Sequence, residues 1–142
     1  MAGDLTQAIG VLFADRGCSV LLYPPEPYPD GHGYHHRVDL VADAFQGTID
    51  ATSYENVRTL LRFHAELLEL YHSLKGEAHL SGGYENFVLD FKGDGQGHIT
   101  VHVEASAGAS MDIRFSFNFI IDQTQLHTAI ISLAKHLPPL VN

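Results

Sequence analysis

Between residues 87 and 119 the chain alternates apolar and polar side chains in three separate runs. The apolar sets are Phe87, Leu89 and Phe91, then Ile99, Val101 and Val103, then Met111, Ile113, Phe115, Phe117 and Phe119. A period of two places each set on one face of a strand and the intervening polar residues on the other. The links Gly93-Asp94-Gly95-Gln96-Gly97 and Ser106-Ala107-Gly108 have the composition of hairpin turns. This pattern predicts a three-stranded antiparallel meander with one face for a core and one for solvent.

Paired strands must place their apolar sets on the same side, which limits the register. A three-residue loop at 106–108 sets Val103 opposite Met111 and Val101 opposite Ile113. On the polar face it sets His102 opposite Asp112 and Thr100 opposite Arg114. The earlier turn, solved alike, puts Phe91 opposite Ile99 and Asp90 opposite Thr100.

An apolar sheet face needs a cover, and two segments have helical period. In residues 52–76, Val57, Leu60, Leu61, His64, Leu67, Leu68, Tyr71 and Leu74 recur at steps of three and four. Thr52 and Glu55 have capping-box spacing, and Gly76 suits a left-handed stop. Residues 122–137 repeat the arrangement with Asp122 as N-cap, Gln125 three positions on, and a stripe of Leu126, Ala129, Ile130, Leu133 and Leu137 before Pro138.

The first 50 residues are less regular. Residues 8–14 and 18–23 form a predicted hairpin across Asp15-Arg16-Gly17, and residues 34–51 read as one long or broken strand kinked near Gly47. Between them, residues 24–33 hold four prolines and two glycines and read as an exposed loop. The expected fold is a single α+β domain. It has a twisted, mainly antiparallel sheet (N-terminal hairpin, central strand, C-terminal three-stranded meander) with two amphipathic helices packed on one face.

Charge and composition narrow the function. With 17 acids against 8 bases the net charge is −9, which repels nucleic acid and favours a basic protein partner. No apolar run approaches the roughly 20 residues of a membrane span. The first residues carry an aspartate where a secretory signal carries basic residues. One cysteine, Cys18, excludes an intramolecular disulfide. These features predict a cytoplasmic protein, with Cys18 a packed thiol within an apolar strand.

Three histidines, His32, His35 and His36, lie within five positions, as a metal site would need. Zinc requires three or four converging ligands, yet adjacent strand residues such as His35 and His36 point to opposite faces. Neither a helical H-E-x-x-H pair nor a second cysteine completes the set. No metal or cofactor is expected. The turn around Asp94 lacks the ligand order of a calcium loop and the lysine of a phosphate loop. No nucleophile elbow or opposed carboxylate pair points to an enzyme. A small-ligand or metal-binding protein, possibly enzymatic, using the His32/His35/His36 loop is the alternative reading.

The polar face of the meander remains. Asp90, Thr100, His102, Glu104, Asp112, Arg114, Ser116 and Asn118 would form a flat, largely acidic patch on rigid strands, able to engage and steer a basic partner. A merely solvated face, or one partly covered by the N-terminal hairpin, would carry the same residues.

Several of these segments together resemble the WapI-type family of bacterial immunity proteins. They are FQGTIDA, the helix pattern F-x-x-x-L-x-x-L-Y-x-S-L-x-G-E-A from Phe63 to Ala78, GDGQGHITV, and an F-x-F strand running into IDQTQL and a final amphipathic helix. The match covers roughly residues 35–137. The resemblance implies a small cytoplasmic protein, encoded beside a toxin, that binds and neutralises the toxin domain. It implies no catalytic residues and carries over no toxin-contact motif.

Overall fold

The computed structural model describes residues 11–24, 26–30, 34–54, 57–81, 86–107 and 113–136. The strands are β1 (Val11–Asp15), β2 (Cys18–Leu22), β3 (Glu26–Pro27), β4 (Tyr34–Ala42), β5 (Phe45–Tyr54), β6 (Lys75–Ser81), β7 (Phe87–Asp94), β8 (His98–Ala107) and β9 (Ile113–Asp122). Helix α1 (Val57–Ser73) separates β5 from β6, and α2 (Gln123–His136) follows β9. The α+β class stands, but the strands form two antiparallel sheets where one was expected.

The first sheet joins β1, β2, β4 and β3 in that order, with β5 on the other edge of β4. Arg16 and Gly17 turn β1 into β2 with φ of 41° and 86°, the paired positive values that match a two-residue hairpin to strand twist. Residues 34–51 are not one kinked strand. They fold back as the β4–β5 hairpin, with Ala42 facing Phe45 and Gly47 paired to Leu40 in mid-ladder. Asp43, at φ 60°, makes the reversal, a conformation that aspartate tolerates better than most residues.

The second sheet runs β6-β7-β8-β9. Its extra strand, β6, occupies residues that the helical reading had left as the exit from α1. The helix ends at left-handed Leu74, φ 62°, rather than at Gly76, which already lies in β6. At the other end, Thr52 belongs to β5, and Glu55 lies outside the described residues. Gly93 explains the close exit: a Cβ there would lie 2.4 Å from the Leu74 carbonyl oxygen, so only glycine lets β7 pass beneath the helix end.

The expected faces are right and the expected registers are not. Phe91 pairs with Val101 and Asp90 with His102, while Val103 pairs with Phe117, Val101 with Phe119, Thr100 with Ile120 and His102 with Asn118. Both shifts are even numbers of residues, so no side chain changes sides. The larger shift arises because β8 runs on to Ala107, opposite Ile113, and the smaller because β7 runs on to Asp94 before the turn. Met111 and Asp112 lie outside the described residues.

The inner faces of both sheets and one side of each helix share a single apolar core. Phe91 sits at its centre, edge-on to Phe13 of β1 at 4.8 Å and tilted against Phe63 of α1 at 5.7 Å. The buried stripe of α1 is Leu60, Phe63, Leu67 and Leu70, turned from the expected one, with Leu68 half exposed. The stripe of α2 is as expected at Leu126, Ala129, Ile130 and Leu133, while Leu137 and Pro138 lie outside the described residues. Its start is a capping box: the Gln125 amide donates to Asp122 Oδ1 and the Asp122 amide to Gln125 Oε1, each at 2.8 Å. Gln125 Nε2 then donates to the Ala14 carbonyl at 2.8 Å, tying α2 to β1.

Candidate functional site

The outer face of the second sheet is open, because β1 packs on the inner face and leaves the outer one to solvent. It carries Asp90 from β7, Thr100, His102 and Glu104 from β8, and Arg114, Ser116 and Asn118 from β9. Of the expected patch, only Asp112 falls outside the described residues. Strand β6 adds Glu77 and His79, and β7 adds Lys92, none of which the meander reading included. A short Ala78, Leu80 alternation was the available signal for β6, and it is brief enough to be absorbed into a helix exit.

One row crosses all four strands: His79 opposes Asp90, Asp90 opposes His102, and His102 opposes Asn118. His79 Nδ1 bonds Asp90 Oδ1. The His102 ring meets Asn118 Oδ1 through Nδ1 and Glu104 Oε2 through Nε2, the latter at 2.7 Å. An imidazole that donates from both nitrogens is the protonated form. Accordingly the Glu104 bond, then the Asn118 bond, hold the His102 pKa above its ordinary value. The row is therefore held in register by side chains as well as by the ladder.

The charge on this face is more even than expected. Glu77, Asp90 and Glu104 are met by Lys92 and Arg114, with two histidines between them. The patch is mostly polar and mixed in sign, with exposed Ile120 opposite Thr100. At the β7–β8 turn the Asp94 carboxylate accepts the amides of Gln96 at 2.7 Å and His98 at 3.2 Å. Those bonds hold its pKa below the ordinary value and explain the residue as a turn former.

The histidine segment divides as the strand geometry requires. His36 points inward, 2% exposed, edge-on to Phe87 at 6.2 Å. Burial pushes its pKa down to about 4. The two adjacent histidines thus lie on opposite faces of the strand, as their spacing predicts. His35 points outward, stacked on Tyr28 at 4.7 Å and bonded to Asp50 Oδ1 at 3.0 Å. His32 lies outside the described residues. Among those described, no three His, Cys, Asp or Glu side chains converge as metal ligands.

The first sheet has an outer face of its own. Asp39 accepts the Tyr23 hydroxyl at 2.8 Å, the Thr48 hydroxyl at 2.8 Å and Arg37 Nε at 3.0 Å. Burial opposes the charge, yet these donors win and hold Asp39 below its ordinary pKa. The Arg37 guanidinium lies 4.8 Å above the Tyr23 ring. Beside this hub a cleft of about 430 Å³ is lined by Tyr23, Pro24, Glu26, His35, His36, Arg37 and Asp50. Among the described residues no helix is long and apolar enough to cross a membrane.

No curated protein and no solved structure matches the chain. The model of the immunity protein WapI-like family matches residues 12–140, taking in the first hairpin as well as the stretch that carries the sequence resemblance, and the chain belongs to this family.

Proposed function

We propose that this chain is a non-enzymatic, cytoplasmic immunity protein that binds and neutralises a cognate, basic toxin domain through the outer face of the second sheet. Asp90, Thr100, His102, Glu104, Arg114 and Asn118 would make the contact. The observation that carries the reading is a rigid, open, polar face on a member of an immunity family. At about 4.8 Å between strands and 3.4 Å per residue, four strands of seven to ten residues span roughly 600 Å². With its rim this approaches the roughly 800 Å² per partner of a stable complex. The net charge of −9 supports a basic partner through steering over the last nanometre of approach.

The test is to co-express the chain with the toxin encoded beside it and to measure binding by calorimetry and toxin activity in the same preparation. Binding with inhibition is expected, together with a tenfold or greater loss of affinity for Asp90→Lys/Glu104→Lys. A toxin that neither binds nor is inhibited sinks the reading. Unchanged binding by the double variant sinks the choice of surface.

A further inference from the structure

The cleft on the first sheet has an architectural cause. Strands β2 and β3 run along the same edge of β4, yet their registers differ: Leu22 pairs with Val38, whereas Glu26 pairs with His35. One more residue lies on the β2–β3 side than on the β4 side, which is the count of a β-bulge. The Tyr23 amide still donates to the Arg37 carbonyl at 3.0 Å. After it come Pro24 and Pro25, which have no N–H to continue the ladder. The sheet therefore opens at His36 and Arg37.

The groups around the opening differ in how far they are committed. Arg37 is a cation, but its Nε and Nη2 both donate to Asp39. His36 is buried and neutral at pH 7. Asp50 gives one oxygen to His35 Nδ1 and keeps the other. Glu26 is exposed and enters no ion pair among the described residues. The uncommitted charge is thus negative and comes from two carboxylates on opposite walls, one on β3 and one on β5. The stacked Tyr28 and His35 rings add a flat aromatic surface beside them.

We propose that this cleft is a binding site for a guanidinium or ammonium group, presented as an arginine or lysine side chain by a protein partner. Carboxylates on two walls give a planar guanidinium charge-assisted bonds on both sides, and the His35 ring in the lining, stacked on Tyr28, adds a flat surface beside them. The volume, about 430 Å³, lies in the range of pockets that hold small ligands. The site lies on a different sheet from the surface assigned to the toxin, so it stands whether or not that assignment holds.

Backbone amide shifts of the isotope-labelled chain, titrated with N-acetyl-arginine amide and, as a control, N-acetyl-glutamate amide, test the site. The arginine probe is expected to move the amides of residues 23, 26, 35–37 and 50 in a saturable way in the low millimolar range, weakening as salt rises. Glu26→Gln/Asp50→Asn, both on exposed positions, is expected to weaken that binding at least tenfold while Asp90→Lys/Glu104→Lys leaves it unchanged. Absence of saturable shifts at those amides, equal binding of the glutamate probe, or unaltered binding by the Glu26→Gln/Asp50→Asn variant would each overturn the proposal.

Discussion

Lowering the pH from 7.5 to 4.5 is expected to cost the fold about 2.5 kcal/mol through His36 alone. An unfolded histidine takes up its proton near pH 6.5, whereas the buried His36 does so at about 4. As pH falls through 6.5 the unfolded chain gains a proton that the folded chain refuses, so stability declines. At roughly 1.4 kcal/mol per pKa unit the loss is about 1.4 kcal/mol at pH 5.5, about 2.5 at pH 4.5 and about 3 at pH 4, and levels off at about 3.4 below pH 3. Other groups titrate too. His102 acts in the opposite sense, because its raised folded pKa gives stability present at low pH and lost as pH rises. The measurement is therefore a difference: urea unfolding free energies of wild type against His36→Gln and His36→Phe, from pH 7.5 to 4.5. Wild type is expected to lose about 2.5 kcal/mol more than either variant. Parallel curves would refute the reasoning, as would an NMR titration placing the His36 proton uptake in the folded chain near 6.5.

Asp122→Ala removes one half of the capping box and is expected to lower the unfolding free energy by about 1 kcal/mol, with Asp122→Asn largely restoring it. Phe91→Ala, at the junction of β1, α1 and the second sheet, is expected to lose about 3–5 kcal/mol in the same assay. Gly93→Ala sets a methyl group 2.4 Å from a backbone oxygen and 2.8 Å from Leu70 Cδ1; a loss of about 3 kcal/mol is expected, and a loss under 0.5 would show that the helix end is free to move. Toxin binding at the second sheet is expected to weaken several-fold from pH 8 to pH 6 as His102 gains its proton. His102→Gln is expected to flatten that dependence in calorimetric titrations.

Periodicity carried most of the fold because it reports sides, and sides survive errors of register. The phenylalanines of β7 and β9 were bound to face a core whichever residues they opposed, so the polar residues opposite them were correctly grouped on one outer face. Register was illegible for a different reason: it depended on where β8 stops, and residues such as Ala105 and Ser106 suit a strand end or a turn equally. The division into two sheets left no local trace, being a matter of which edges meet. Asp43 hid the β4–β5 hairpin because its left-handed turn comes without glycine. Likewise the cleft at Glu26 and Asp50 arises from a register mismatch across β4, which no single stretch of chain records.

The bond from Gln125 to Ala14 spans 111 positions of the chain. Translation makes Ala14 well before Gln125. At about 5–20 residues per second, β1 waits roughly 6–20 s for the helix that docks it, its Val11 and Phe13 meanwhile available to chaperones. For this molecule the order of synthesis and the order of packing therefore differ, because the strand made earlier is tied down only by a helix made 111 positions later.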